Sequence, residues 1–211
     1  MATDPWWGPP PLPTSRDMEP MDKPSLRKEL RAARRAHVAA LPDAVRGLMF
    51  SRPPSPVLAA VPEGAVIGLY SAVPGEAPTL GYAKWFYEAG HRIALPWFAD
   101  REAGMEFREW ANPFLEEEGL EDGPFGIRQP PADAAPITPD VCFVPLLGFT
   151  ATRERIGQGA GHYDRWLAAN PGTRTIGLAW DCQLVDALPV EPHDVPLDMV
   201  VTPTRAYGEH A

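Results

Sequence analysis

The stretch DVCFVPLLGF, residues 140–149, is followed after five residues by RIGQGAGHYDRWL, residues 155–167. The first is an apolar run of the kind found where a parallel strand is buried on both faces. The second sets three glycines at alternate positions ahead of a helix expected from about Gly161 to Ala169, ended by the NPG that follows. Strand, glycine loop and helix in this order decide the fold class, because they place a loop at the carboxyl end of a central strand.

The neighbouring segments agree. AVIGLYSA (65–72) reads as a buried strand and PGEAPT (74–79) as a turn. LGYAKWFYEAG (80–90) reads as a helix with Leu80, Ala83, Phe86 and Tyr87 on one face and Gly90 as its stop. HRIALPWF (91–98) is the next strand, completing a β-α-β unit and so a parallel pair. MEFREW (105–110) suits a short strand, EEEGLEDG (116–123) an acidic connection, and GIRQP (126–130) is too short to classify. After the glycine loop, TRTIGLAWD (173–181) reads as a strand, CQLVDAL (182–188) as a short helix, and MVVTPT (199–204) as the final strand. The expected fold is α/β, a three-layer Rossmann-like domain with a mostly parallel central sheet and ligands at the carboxyl ends of its strands.

Upstream, DKPSLRKELRAARRAHVAAL (22–41) predicts a helix. Asp22 or Ser25 can cap it, Pro24 suits its first turn, and Leu26, Leu30 and Ala33 mark an apolar face. Lys23, Arg27 and Arg31 follow at steps of four. Like charges at that spacing repel by a few tenths of a kcal/mol per pair, a cost that a bound anion would offset; a solvated basic face is the plain alternative. SRPPSPVLAAVPEG (51–64) interrupts the helical region. Residues 1–21, rich in proline and carrying Trp6 and Trp7, are expected as a disordered extension, with 22–211 forming a single α/β catalytic domain.

Composition sets the outer bounds. The chain has 211 residues and 27 prolines, about one in eight against a usual ~5%. A formal charge of −9 argues against nucleic-acid binding, although small anions answer to local field rather than to net charge. Cys142 and Cys182 are too few and too far apart for a zinc site and read as buried thiols. No apolar run approaches the ~18 residues of a membrane span. The first residues lack the basic start and apolar core of a secretory signal, so a cytoplasmic location is expected.

The glycine loop matches neither common nucleotide fingerprint. A P-loop requires a lysine after its last glycine, and the dinucleotide motif requires G-x-G-x-x-G, whereas the spacing here is G-x-G-x-G. Backbone amides and a helix N-terminus still make such a loop an anion site. Arg155 before it could stabilise a transferring phosphoryl group, and Asp164 after it could hold magnesium. Asp164 would equally serve to complement the helix dipole. Glu76 could be an exposed turn acid, Asp194 a turn residue between two prolines, and His193 a surface histidine. Trp110 and Trp166 read best as core.

Taken together, VPLLGF, RIGQGAGHYDRWL and IGLAWDCQLVDALPVEPHDVPLDMVVT resemble the 5-formyltetrahydrofolate cyclo-ligase (methenyltetrahydrofolate synthetase) family. KPSLR (23–27) is similar to that family's N-terminal K-x-x-x-R, and IGLYSAVPGEAPT to its strand and glutamate-bearing loop. The resemblance spans about Asp22 to Thr204. Family members commonly have Asp where Thr150 stands, Gly where Arg153 stands, Tyr where His162 stands and Leu where Ile156 stands.

That resemblance implies an enzyme converting 5-formyltetrahydrofolate and ATP to 5,10-methenyltetrahydrofolate, ADP and phosphate with Mg2+, through a phosphorylated formyl group. It assigns Lys23 and Arg27 to the ATP phosphates, together with the loop residues Arg155, Ile156, Gly157, Gln158, Gly159, Ala160, Gly161, His162 and Tyr163. Arg155 is the catalytic group, and Asp164 and Asp194 are the metal ligands. Ser71 and Glu76 would bind the folate, sharing Gln158, His162 and Tyr163 with ATP. The expected partners are 5-formyltetrahydrofolate and ATP, with no nucleic acid and no membrane, for a monomer. An inactive or divergent folate- or nucleotide-binding relative, a different ATP-dependent activation on the same scaffold, and a Rossmann oxidoreductase are the alternatives. The glycine spacing weakens the last.

Overall fold

The computed structural model describes residues 22–115, 119–189 and 195–208. The expected extension (1–21) and the expected metal ligand Asp194, with His193 beside it, lie outside the described residues. Helix α1 (Lys23–Ala40) begins at Asp22, whose carboxylate accepts the Ser25 amide at 3.0 Å, with Pro24 in the first turn. Its buried stripe is Leu30, Arg34 and Val38, one residue per step of four. The expected apolar position Ala33 is exposed. A charged residue therefore occupies a core-facing place.

Two short helices follow, α2 (Asp43–Leu48) and α3 (Ser55–Ala60). The second lies inside the proline-rich segment expected as an interruption. Its Pro56 falls in the first turn, where a missing N–H costs nothing, so these prolines start a helix instead of breaking one.

The sheet begins with β1 (Val66–Gly68), then α4 (Leu80–Glu88), β2 (Arg92–Trp97) and β3 (Glu106–Glu109). Helix α4 buries Tyr82, Ala83 and Phe86, while the expected core residue Tyr87 is 37% exposed. A hairpin, β4 (Glu121–Asp122) and β5 (Arg128–Gln129), precedes β6 (Val141–Pro145). A second hairpin, β7 (Gly148–Phe149) and β8 (Arg155–Ile156), leads through the glycine loop into α5 (His162–Ala169). The chain ends in β9 (Arg174–Leu178), β10 (Met199–Val201) and β11 (Ala206–Gly208). Of the helix expected over 182–188, the structure has a single 3-10 turn, Asp181–Gln183. The strand β11, which the sequence reading lacked, pairs antiparallel with β10.

Seven strands lie in the order β11-β10-β9-β6-β1-β2-β3. The five central strands are parallel and each edge strand is antiparallel. Alternation along β6 shows the two faces: Val141 and Phe143 join the core under α1, α3 and α4. Cys142 and Val144 join the core under α5, with Trp166 and Leu167 packed against it. That gives the three layers expected. The chain winds one way from β1 to β2 and returns to the other side of β1 with β6. The order thus reverses between β1 and β6, the switch point where open α/β sheets leave a crevice at the strand ends. Both relevant loops start there: residues 69–79 after β1, and the glycine loop beyond β6 and its hairpin.

The hairpin turn explains two departures from the family pattern. Arg153 has φ +73°, the left-handed conformation that glycine favours, so the chain keeps the turn without the glycine. The Thr150 and Thr152 hydroxyls both donate to the Glu154 carboxylate, so a threonine supports the turn from within. Left-handed backbone costs a side-chain-bearing residue ~1–2 kcal/mol, and the Arg153 Nε is buried without a partner among the described residues. Arg153→Gly should therefore raise unfolding stability by ~0.5–1 kcal/mol, net of glycine's greater chain entropy. Chemical denaturation measures it.

Candidate active site

At the crevice between the β1 and β6 ends lies a cavity of about 720 Å³, a size suited to a small-molecule ligand. Its lining joins segments distant in sequence: Lys23, Arg27 and Arg34 of α1, Ser71 and Glu76 of the β1 loop, and Arg155 through Asp164 apart from Ile156. A second recess of about 50 Å³ adjoins it, where Lys23, Arg27 and Arg155 face Asp164 and Glu154. So the cavity assembles nearly all the expected site residues. Ile156 is the exception: its side chain is buried with Leu30 and Leu147, and it borders the small recess alone.

The glycine loop is held from α1. Arg27 Nε donates to the Gly157 carbonyl at 3.0 Å. Arg31 donates from Nε to the Gln158 side-chain oxygen at 3.0 Å and from Nη2 to its carbonyl at 2.9 Å. The cationic stripe read from sequence is thus partly committed to backbone oxygens. Gly159, at φ +108°, lies against the Arg27 guanidinium, and Gly161, at φ +66°, starts α5. These two need glycine for their backbone conformation. Gly157 does not, since its φ is ordinary and a Cβ there would meet nothing within 4 Å.

At the loop's flanks, Arg155 donates to the Asp164 carboxylate and, from Nη1, to the Val195 carbonyl at 3.1 Å. The Arg155 side chain is 9% exposed, whereas Asp164 is 62% exposed. Asp164 stands in the first turn of α5, where amides have no helical partner. Among the described residues no group of three His, Cys, Asp or Glu could hold a metal ion. One exposed carboxylate beside a glycine loop nevertheless fits magnesium, which takes one or two carboxylates and completes its shell with water and ligand oxygens.

The opposite wall is laced. Thr79 Oγ1 donates to the Tyr70 carbonyl at 2.7 Å, Tyr70 OH to the Ala77 carbonyl at 2.6 Å, and Trp180 Nε1 to the Gly75 carbonyl at 3.1 Å. These bonds fix the loop that carries Glu76. Its carboxylate accepts the Val73 amide at 3.2 Å and Gln158 Nε2 at 3.1 Å, with Arg34 Nη1 3.7 Å away. Far from being an exposed turn acid, Glu76 has a side chain 8% exposed. Ser71 Oγ accepts the Arg128 amide at 3.1 Å, tying the β4–β5 hairpin to the cavity rim.

Sequence reasoning missed Arg34, Tyr70, Phe98 and Phe125. Arg34 had a signal, a charge four residues after Leu30 and four before Val38. Phe125 had none: it reaches the cavity because its own backbone is left-handed, at φ +66°. Phe98 and Phe125 lie 5.2 Å apart and meet the His162 ring at 4.9 and 5.2 Å, closing one wall with aromatic surface. Trp110 is buried and Trp166 packs against Phe107 at 4.8 Å, so both are core residues as expected. The Tyr163 hydroxyl is buried without a hydrogen-bond partner among the described residues, and burial pushes its pKa well above the usual tyrosine value.

This fold agrees with the comparisons. The model of the 5-formyltetrahydrofolate cyclo-ligase family matches residues 19–203. The chain belongs to that family. It is 33% identical over 147 residues to the 5-formyltetrahydrofolate cyclo-ligase of Escherichia coli K12, covering 67% of this chain and 79% of that protein. It is 31% identical over 198 residues to that of Mycolicibacterium smegmatis, covering 89% and 97%. The solved structure of Aquifex aeolicus 5,10-methenyltetrahydrofolate synthetase aligns with a TM-score of 0.69 at 25% identity, over 90% of this chain and 94% of that one. Among the described residues no helix is long and apolar enough to cross a membrane.

His162 gives a test of the aromatic wall. Burial, and then the neighbouring Arg165, lower its pKa from the ordinary value. Below about pH 6.5 the unfolded chain binds this proton more readily than the folded one. The contribution to stability is therefore complete above that pH and declines as the pH falls toward the folded pKa. An NMR titration of the His162 imidazole should have its midpoint below 6.5, and Arg165→Gln should restore it only in part, since burial is the larger cause.

Proposed function

We propose that this member of the family is an active, ATP- and Mg2+-dependent enzyme that cyclises 5-formyltetrahydrofolate to 5,10-methenyltetrahydrofolate. The observation that supports it most is the meeting, in one cavity, of a cation cluster around a glycine loop with a buried carboxylate opposite. On a chain of net charge −9, Lys23, Arg27 and Arg155 make a local positive field suited to a triphosphate. A folate-binding relative without turnover would have little use for it.

In this reading the triphosphate lies along the glycine loop. Lys23 and Arg27 neutralise its oxygens, and the first-turn amides of α5 donate to them. Magnesium, held by Asp164 and, from outside the described residues, Asp194, would supply charge neutralisation at the phosphates. Glu76 accepts hydrogen bonds from the pterin, with Ser71 and Gln158 beside it. The Tyr163 hydroxyl, protonated and without a partner among the described residues, offers a donor to a ligand oxygen between the two. Phe98, Met105 and Val144 give the cavity dry walls, which strengthen each charged contact.

The reaction follows from alignment. The formyl oxygen attacks the terminal phosphorus and the bond to ADP breaks. The N10 nitrogen then adds to the activated formyl carbon, loses its proton, and phosphate leaves as the five-membered ring closes. The enzyme's contribution is position and charge. Arg155, already beside Asp164, turns its guanidinium toward the phosphoryl oxygens as charge moves onto the leaving ADP. The reading also takes 22–211 as one catalytic domain, working as a monomer in the cytoplasm.

Protein mixed with 5-formyltetrahydrofolate, ATP and magnesium should generate the near-ultraviolet absorbance of the methenyl product, and chelation of magnesium should abolish it. Folate binding by calorimetry without any product would favour the inactive relative. Arg155→Ala should lower kcat by about 10²–10³, the usual cost of losing one transition-state donor, while changing the Kd for the folate less than threefold. Equal losses in both would contradict the role given to Arg155.

A further inference from the structure

Arg34 is a charged residue buried to 5% exposure. Two arginines of the same helix donate to the glycine loop, Arg27 to Gly157 and Arg31 to Gln158. Arg34 does not. It makes no hydrogen bond among the described residues, its Nε is sealed without a partner, and the carboxylate it faces, Glu76, has Oε1 3.7 Å from Nη1. Buried polar groups are almost always satisfied in folded chains, so a guanidinium left unsatisfied at a cavity wall points to an acceptor that arrives with the ligand.

We infer that Arg34 reads the carbonyl of the pterin, donating to the oxygen at position 4 while Glu76 accepts from the adjacent ring N–H and 2-amino group. This rests on the cyclo-ligase reading of the cavity. The pyrimidinone edge of a pterin presents two donors followed by one acceptor. A carboxylate takes two donors, and a neighbouring guanidinium supplies the missing donor in a planar fork. Glu76 and Arg34 form such a pair, both lining the cavity and both nearly buried. Glu76 alone would accept any heterocycle that keeps the ring N–H and the 2-amino group. Arg34 adds the discrimination at position 4, because a sulfur in place of the oxygen is a weak acceptor and would leave the guanidinium unsatisfied in a dry site. A lysine would keep the charge but lose the fork.

The test compares two ligands by calorimetry on the intact chain: 5-formyltetrahydrofolate, and its analogue with sulfur in place of the 4-oxo oxygen, which keeps the ring N–H that Glu76 reads. The wild type should bind the 4-oxo ligand at least tenfold more tightly. Arg34→Gln should weaken the 4-oxo ligand about tenfold to a hundredfold, the range for loss of a hydrogen bond from a charged group. It should leave the 4-thioxo ligand within threefold. If Arg34 merely props up Glu76, both ligands lose equally, because both carry the ring N–H and the 2-amino group, and the inference falls. It falls as well if the wild type binds the two alike, a measurement that needs no variant to fold. Binding of neither ligand by the wild type would instead overturn the cyclo-ligase reading itself, and this inference with it. Arg34→Lys should fall between wild type and Arg34→Gln in its preference.

Discussion

The contacts from α1 to two loops hold the site in one piece. Arg27 and Arg31 bind the glycine loop, and Arg34 faces the acid on the β1 loop. The sheet alone would bring the loop ends to the switch point without fixing their separation. A helix is stiff, so side chains one and two turns apart on it set that separation through their own lengths. Gln158 closes the circuit: it accepts from Arg31, and donates to Glu76 across the cavity. The two walls are therefore registered against each other through a single element. Like-charge repulsion along α1 is a small cost beside that. Much of it is offset by the carbonyls and the carboxylate these cations face.

Much of the fold was legible because the pattern was local. The apolar run at 140–149 and the β-α-β unit before it announce buried parallel strands, and the Asp22 cap announces α1. Where the reading failed, a competing rule decided. The prolines at 54 and 56 looked like breakers and instead begin α3, since proline is acceptable in a first turn. Tyr87 had the right spacing for the core, but Tyr82 took the place by meeting Phe143 at 5.6 Å. The strand β11 is three residues long and shows no alternation, so only its pairing with β10 defines it.

The site divides in the same way. Lys23, Arg27, Arg155, Asp164 and the alternate glycines stand close together in motifs, and residue type alone suggests phosphate chemistry. The wall opposite the glycine loop is less legible, because it draws on side chains placed by tertiary packing. Phe125 enters through an unusual backbone angle, and Arg34 through the one stripe of α1 where charge is unexpected. Glu76 was recognisable only from its loop. Its burial, and the bonds that hold that loop still, belong to residues as distant as Trp180.

The span of these contacts has a consequence for biosynthesis. Arg27 and the carbonyl that it holds are 130 residues apart, and Gln158 lies 82 residues from Glu76. The first helix leaves the ribosome early and waits for most of the chain before its guanidinium groups meet their acceptors. A chain interrupted ahead of the glycine loop would carry cations and a buried acid, with nothing to fix the distance between them. The registration of the two cavity walls thus belongs to the finished polypeptide, because the contacts that set it close only once residues 157–158 have followed.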